Sequence, residues 1–420
     1  MKRFVSLLIT LSLSVLAVYS QISIDDCQRK ARANYPLIKR YDLIEKSKAY
    51  SLSNIAKSYL PQIQLNAKAT YQSDVTKIPL SLPGITIPEL NKDQYLAAVE
   101  VNQVIWDGGA IRAQKGIAEA SAAAEEQQVT VDLYALENRI NQLFFGILLL
   151  DTQLEQNRIL QDELERNYTT IANYKVNGLA NQADLDAVKV EQLNAKQLRV
   201  QLQSTRQSFI DMLSYMTGEK LPADVFLTKP KVNQEFTAGE MNRPELRWFE
   251  AQDQLLESQK ALIKASYLPK LGLFVQGGVG RPGLNMLSTD WDPFYIGGVR
   301  LTWNFGAFYT AKNDKQKIMV NQNALDTQRE TFLFNLNLEQ TKENQEIKRL
   351  KEQMVYDDEI IALRTNIKKS AEAKWANGAL TVTDLMQEIS RENLAKQTKA
   401  AHEIDLLIAI YNLKNTTNNP

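Results

Sequence analysis

The chain has 420 residues, and its 49 basic and 49 acidic side chains balance to a formal net charge of zero. This balance gives no indication of nucleic acid as a partner. Hydrophobic residues make up 44% of the sequence and the mean hydropathy is −0.33. These values are close to those of globular proteins and exclude a bundle of transmembrane helices.

The N-terminus has the pattern of a secretory signal peptide. Lys2 and Arg3 precede an apolar run from Phe4 to Val18, and Ser20 is a small residue suited to cleavage. The run is too short to span a membrane comfortably, and no later stretch approaches the roughly 18 apolar residues of a spanning helix. Residues 1–20 are therefore predicted to be a signal peptide, and any membrane insertion has to use β-strands.

Short motifs recur in the same order about 200 residues apart, which indicates a tandem internal duplication. The repeated pairs are Ser58-Tyr59-Leu60-Pro61 with Ser266-Tyr267-Leu268-Pro269, Asn34-Tyr35-Pro36 with Asn242-Arg243-Pro244, Trp106-Asp107-Gly108-Gly109-Ala110 with Trp303-Asn304-Phe305-Gly306-Ala307, and Asn177-Gly178 with Asn377-Gly378. We predict a first structural repeat at 21–220, an irregular insert at 221–240 and a second repeat at 241–420.

Each repeat contains two predicted strands. After Pro61, apolar and polar residues alternate for about ten residues, the length that a tilted strand needs to cross a bilayer. Similar strands are predicted near 95–105, 271–277 and 295–303. This alternation is typical of a membrane β-barrel, although a soluble antiparallel sheet with one polar side gives the same pattern. Four strands per chain cannot close a barrel with a lumen, so several chains have to contribute.

Aromatic residues bracket the predicted strands, as expected for belts at the two membrane–water interfaces. One predicted belt contains Tyr59, Trp106, Tyr267 and Trp303, and the other contains Tyr71, Tyr95, Trp291 and Tyr295. Lys68, Glu100 and Arg300 fall on the polar side of the strands, which we expect to line the lumen. There they either tune which solutes pass or only keep the lumen wet.

The predicted helices are longer than a globular domain requires. Residues 109–177 contain no proline, and a helix of this length is on the order of 100 Å long. Apolar residues spaced alternately three and four positions apart predict a coiled-coil seam in this helix. They are Leu133, Leu136, Ile140, Leu143, Ile147, Leu150 and Leu154. The other helices are predicted at 181–217, 241–266, 307–376, 379–413 and 24–57. The helices that lead away from the predicted strands and those that return to them have about the same total length. This match predicts a hollow cylinder of helices attached to a barrel.

The order and spacing of these motifs resemble the TolC-type outer membrane efflux proteins over essentially the whole mature chain. The matching residues are Asn34-Tyr35-Pro36, Leu60-Pro61-Gln62, Trp106-Asp107-Gly108-Gly109, and two turns with Gly178 and Asp184 or Gly378 and Asp384. The resemblance implies a homotrimer with a twelve-stranded transmembrane β-barrel in the outer-membrane lipid and a twelve-helix periplasmic tunnel. It implies a periplasmic adaptor and an inner-membrane efflux pump or ABC exporter as partners, in drug efflux or type I secretion.

The two turns are candidate docking tips. Asn177-Gly178-Leu179 and Asn377-Gly378-Ala379 end the descending helices, because Asn-Gly tolerates the left-handed backbone that stops a helix. The resemblance implies that these tips face the adaptor and the pump. A well-formed helix hairpin would explain the same residues without any docking.

Acidic residues follow both turns. Asp384 with Thr381, and Asp184 with Asn181, fit helix capping. The resemblance implies instead a gate at the periplasmic entrance, in which Asp384 joins a symmetric acidic ring. Gln387 stands where the family pattern has a second acid, which argues against a double cation-binding ring.

No pattern of catalytic residues, metal ligands or cofactor-binding residues stands out. The single histidine, His402, is expected to be exposed on a helix, and with one cysteine, Cys27, no His/Cys cluster can hold zinc. Gly277-Gly278-Val279-Gly280 opens no helix and is not a nucleotide fingerprint. We predict a mixed α and β protein that acts as a passive outer-membrane channel and is not an enzyme. A periplasmic coiled-coil adaptor or scaffold is the alternative, and a secreted hydrolase would need catalytic residues that we do not find.

Overall fold

The computed structural model describes residues 22–76, 90–231 and 241–418. The predicted signal peptide lies outside these residues, as do most of the first inter-strand loop and part of the insert at 221–240. The chain forms two compact units. Among the described residues, the helical unit contains 22–38, 132–231, 241–242 and 336–418, and the sheet unit contains 39–76, 90–131 and 243–335.

The described residues are mainly helical and contain one antiparallel sheet, so the predicted mixed α and β class is confirmed. The helices are α1 (Ile24–Asn34), α2 (Arg40–Lys57), α3 (Ala110–Val176), α4 (Gln182–Thr217), α5 (Pro244–Ser266), α6 (Ala307–Ala376) and α7 (Val382–Thr417). The strands are β1 (Gln62–Tyr71), β2 (Asp93–Trp106), β3 (Lys270–Arg281) and β4 (Asp292–Thr302). None of the described helices is both long and apolar enough to cross a membrane.

The prediction of one continuous N-terminal helix at 24–57 is wrong. Tyr35 is extended, with φ −65° and ψ 128°, and a 3-10 turn at Pro36–Lys39 separates α1 from α2. Pro36 has no backbone N–H and disfavours a helical conformation of the residue before it, so α1 ends at Asn34. The Asn34 side chain donates hydrogen bonds of 3.2 Å to carbonyls in the last turn of α4.

The four strands lie in the order β1-β2-β3-β4, and each neighbouring pair is antiparallel. β3 continues to Arg281, beyond its predicted end at Gly277, because its glycines permit a close approach to β2. A Cβ on Gly278 would lie 2.4 Å from the carbonyl oxygen of Ala97. Within the described residues, β1 and β4 form the two edges of this sheet.

The helical unit is held together by two apolar clusters. The first joins α1, α3, α4 and α7, and it contains Leu136, Ile140 and Ile147 of the predicted α3 seam. The other seam residues from Leu133 to Leu150 are also buried. The second joins α3, α4, α6 and α7 near the two helix turns, around Leu164, Leu385 and Ile389. Cys27 is buried in the first cluster, and burial raises the pKa of its thiol to about 12, so it acts as an unreactive packing group.

Candidate functional site

The sheet has one apolar face, on which the side chains are exposed. Register places on this apolar face Ile63, Leu65, Ala67, Val99, Val101, Leu273, Val275, Val299 and Leu301. The exposed fraction is 74% for Leu65, 63% for Val299 and 66% for Leu301. An exposed apolar surface that spans four strands marks a contact with lipid or with another protein.

The opposite face is largely polar, and it carries all three charged residues predicted for the lumen, Lys68, Glu100 and Arg300. Arg300 Nη2 lies 3.3 Å from Glu100 Oε1, and the guanidinium lies 4.5 Å from the centroid of the Phe274 ring. These contacts hold Arg300 against the sheet and offset its charge. Lys68 is an exposed cation on the same face.

Aromatic rings collect at two ends of the sheet. At one end, Trp303 Nε1 donates a 3.1 Å hydrogen bond to the Tyr267 carbonyl. At the other, the rings of Tyr95 and Trp291 stack with centroids 5.7 Å apart. Tyr59, Trp106, Tyr267 and Trp303 lie towards the first end, and Tyr71, Tyr95, Trp291 and Tyr295 towards the second.

The aromatic group at the first end is larger than the sequence pattern predicted. Phe305 stacks on Trp303 with ring centroids 4.7 Å apart, and Phe308 lies 5.1 Å from Tyr267. Phe305 and Tyr309 are also strongly exposed. The sequence feature that could have predicted this larger group is the concentration of aromatic residues immediately after β4.

The two hairpin tips have the same backbone geometry. Gly178 and Gly378 both have φ 74°, in the left-handed region. The N–H of Leu179 donates to the Tyr174 carbonyl at 2.8 Å, and the N–H of Ala379 donates to the Lys374 carbonyl at 2.9 Å. Together with bonds from Gly178 and Gly378, these form Schellman endings, which stop α3 and α6.

The tips lie side by side and expose their turn residues. The rings of Tyr174 and Trp375 stack with centroids 5.0 Å apart, which ties one hairpin to the other. Leu179 is 74% exposed. The Asn177 and Asn377 side chains bond back to their own helices at 2.8 Å, so the apolar turn residue Leu179 is the more available contact.

Both predicted gate acids are held in helix caps. Asp184 and Asn181 form a reciprocal capping box at the start of α4. Asp384 donates its N–H to Thr381 Oγ1 at 3.1 Å and accepts a 2.6 Å bond from that hydroxyl through its carboxylate. Asp384 and Gln387 also line a groove of about 550 Å³ between α6 and α7.

A buried charge network, which was not predicted from the sequence, links both hairpins. Lys368 Nζ lies 2.7 Å from Glu163 Oε1 on α3 and 2.7 Å from Glu392 Oε2 on α7. Thr365 and Lys396 bind the other Glu392 oxygen at 2.7 and 3.0 Å. Burial alone would raise the pKa of Glu392, but hydrogen bonds from Lys368, Thr365 and Lys396 outweigh it and hold this pKa at about 2.

The signal for this network was a polar residue at a core position. Glu392 continues the buried series of Leu385 and Ile389, and Gln192 continues the series of Leu185 and Val188 on α4. A polar side chain at such a position needs a partner inside the bundle.

The prediction that His402 is exposed is wrong. Its Nδ1 lies 2.9 Å from Oδ2 of the buried Asp357, and only 20% of its side chain is exposed. The pair joins α6 to α7. Among the described residues, no group of three or more histidine, cysteine, aspartate or glutamate side chains could hold a metal ion.

No protein-family model and no curated protein sequence matches this chain. Solved structures do match it. The outer-membrane channel OprN has a TM-score of 0.71 at 13% identity, covering 94% of this chain and 90% of that chain. The outer membrane protein VceC from Vibrio cholerae has 0.64 at 12%, covering 94% and 96%. The Campylobacter jejuni CmeC outer membrane channel has 0.64 at 12%, covering 94% and 85%.

The chain therefore has the fold of TolC-type outer-membrane channels, which confirms the fold resemblance seen in the sequence. At 12–13% identity the likeness defines the fold alone.

Proposed function

We propose that this chain forms an outer-membrane channel-tunnel that passively conducts small molecules or secreted proteins out of the cell. The observation that carries the proposal is the sheet with an exposed apolar face and a polar opposite face. In water the apolar face would favour aggregation, whereas in a barrel wall it would contact lipid and the polar face would line the lumen. The shared fold with outer-membrane channels supports the same conclusion.

The active form is proposed to be a homotrimer. Within the part of the chain that the structure describes, no strand pairs with the outer sides of β1 and β4, and such open edges favour pairing with another chain. Three chains would supply twelve strands and close the barrel. The aromatic residues at the two ends of the sheet would then lie at the two membrane–water interfaces.

The tandem duplication is supported by paired contacts in the two proposed repeats, 21–220 and 241–420. Asn34 binds the last turn of α4, and Asn242 donates its N–H to Thr417 at the end of α7. Both of these helices end in a left-handed residue, Gly218 or Asn418. In a duplicated unit, the end of the second helix of each hairpin, α4 or α7, would contact in the same way the residues that precede α2 or α5.

In this proposal the helical unit lies in the periplasm and its tips dock a periplasmic adaptor and an inner-membrane pump or ABC exporter. The partner would supply the energy, and the chain itself would catalyse no reaction. Leu179 and Ala379 would contact the partner, and Asp384, Gln387 and Asp184 would line the entrance. The cap geometry gives Asp384 a structural role as well.

The purified mature protein is expected to form trimers in detergent and to give discrete conductance steps in a planar bilayer. Asp384→Ala should alter conductance or its block by divalent cations if this residue lines the entrance. Intact trimers with unchanged conductance would leave only the capping role for Asp384. A monomeric rod that gives no conductance would contradict the channel and favour an adaptor or scaffold.

Leu179→Asp should abolish partner docking without affecting trimer formation. The substitution replaces an exposed apolar contact with a charge and leaves the glycine turn in place, so the hairpin should fold normally. Export in cells and co-purification of the adaptor would measure docking. Leu394→Asp, at an exposed leucine on α7 away from the tips, is the control, and normal export by the Leu179 variant would contradict the docking role.

A further inference from the structure

Aromatic rings and lysines form one continuous surface at the helix-side end of the sheet, the end at which the strands meet the helices. Trp303 follows β4 in phase with Leu301, so it continues the apolar face. The Phe308 ring lies 5.1 Å from that of Tyr267. Lys315 Nζ lies 5.5 Å from the centroid of the Tyr267 ring and donates a 3.4 Å hydrogen bond to its hydroxyl. The apolar face therefore ends in rings that are followed by a cation.

The beginning of α6 extends this surface away from the sheet. Phe308 and Tyr309 are 48% and 85% exposed, and the exposed Lys312 and Lys315 follow them along the helix. Their backbone positions lie about 5–10 Å further along the axis than those of the rings. Rings at the boundary of the hydrocarbon region, with lysines that reach into the next, polar layer, are typical of a membrane surface.

The two lysines are not neutralised by the protein itself. Within the described residues, neither Lys312 nor Lys315 forms an ion pair with an acidic side chain. The adjacent acid, Asp314, lines a groove between α5 and α6 that neither lysine lines. Two positive charges at the edge of an exposed aromatic surface are therefore available to an external anion.

The far end of the sheet has a similar arrangement of rings and a cation, but there the charge is paired. Arg281 Cζ lies 5.2 Å from the centroid of the Tyr95 ring and 5.9 Å from that of Trp291. Arg281 also forms an ion pair with Asp93. The two ends of the sheet therefore differ in the charge that they offer to a ligand.

The first structural repeat lacks most of this surface. At the offset that relates the two strand-end tryptophans, Gly108 stands in place of Phe305, and Ala118 stands in place of Lys315. Of the two lysines, the first is retained as Lys115. The complete combination of rings and lysines therefore occurs once per chain, and Lys115 provides a matched control.

We propose that Lys312 and Lys315, flanked by the rings of Tyr267, Phe308 and Tyr309, bind the phosphate group of an anionic glycerophospholipid. This inference rests on the proposed channel, which places the helix-side end at the periplasmic surface of the outer membrane. The lysines complement the charge of the phosphate. The exposed rings beside them contact the acyl chains, which selects a lipid over a free anion. A trimer would have three such sites.

Native mass spectrometry of detergent-purified trimers tests the site. The trimers are titrated with phosphatidylglycerol, or with phosphatidylcholine of the same acyl chains. We expect three phosphatidylglycerol molecules per trimer to bind more tightly than phosphatidylcholine. Each lysine near an anionic lipid contributes about fivefold in affinity, so Lys312→Gln with Lys315→Gln should weaken phosphatidylglycerol binding by about 25-fold. Lys115→Gln should keep the wild-type affinity.

The possible outcomes separate the lipid site from the channel. Trimers that bind both lipids equally, a double variant with wild-type affinity, or an equal loss in Lys115→Gln would each overturn the site and leave the channel intact. Displacement of the bound lipid by glycerol phosphate at the same concentration would show a free-anion site instead. The lipid preference of the wild type decides the question if the double variant does not assemble. A wild-type protein that forms no trimers would overturn both proposals.

Depth measurements in phosphatidylglycerol vesicles provide an independent test. Nitroxide labels are attached to Tyr309→Cys and, separately, to Met319→Cys, at a half-exposed residue about 15 Å further along α6. The label at 309 should collide more often with oxygen, and the label at 319 more often with a water-soluble nickel complex. Equal exposure of both labels to the nickel complex would contradict the placement of these rings at the membrane surface.

Discussion

Lys368→Met is expected to destabilise the helical unit by about 3–5 kcal/mol, because it leaves Glu392 buried without its main counter-charge. Glu392 is 2% exposed, and Lys368 lies 2.7 Å from both Glu392 and Glu163. The methionine fills most of the lysine volume, so the loss reports the charge rather than a cavity. The urea midpoint of the helical circular dichroism signal, at fixed protein and detergent concentrations, measures the change.

The pH dependence separates the charge effect from a packing effect. In the native protein the pKa of Glu392 is about 2, below its ordinary value of 4.5. Its contribution to stability is therefore full above about pH 4.5 and lost as pH falls towards 2. In Lys368→Met this carboxyl is buried with fewer partners, so its pKa should rise and protonation should relieve the cost. The stability deficit should be smaller at pH 4 than at pH 7.

Two further variants complete this experiment. Lys348→Met removes an exposed lysine that lies 3.9 Å from Glu352, and it should change stability by no more than about 0.5 kcal/mol. Adding Glu392→Gln to Lys368→Met should recover part of the loss, because the buried charge is gone. Equal midpoints for wild type and Lys368→Met would show that the network contributes no net stability.

Leu65→Arg is expected to prevent assembly into the outer membrane. Leu65 lies in the middle of β1 on the apolar face, opposite Val99. An arginine at the lipid-facing midplane of a barrel costs about 2–4 kcal/mol per chain, and a trimer would carry three. The measured quantity is the amount of heat-dissociable trimer in the outer-membrane fraction, which should fall strongly.

The adjacent residue provides a matched control. Asn66→Arg places the same side chain on the polar face, opposite Ala98, and trimers should form almost normally there. In a soluble sheet, a substitution at a position as exposed as Leu65 would change stability by no more than about 0.5 kcal/mol. Equal trimer yields from the two variants would therefore contradict the lipid-facing assignment of the apolar face.

The sequence alone determined the strands, the long helices and the positions of the two turns. These features follow from local rules: period-two alternation in β1, seam spacing in α3, and an Asn-Gly pair that stops α3 and α6. The same alternation predicted that Lys68, Glu100 and Arg300 share a face, because side-chain direction in a strand is fixed by sequence parity.

Only the tertiary structure decided which distant groups meet. The Lys368 network requires α3, α6 and α7 to come together, and the burial of His402 against Asp357 depends on how α6 and α7 pack. Neither follows from spacing along one helix, because a charge looks the same in sequence whether a neighbouring helix covers it or not. Pro36 in the sequence accounts for the helix break at Tyr35, but only the tertiary structure shows that the Asn34 side chain binds the last turn of α4. Local periodicity fixes the elements, and the burial of each face is fixed by its partner.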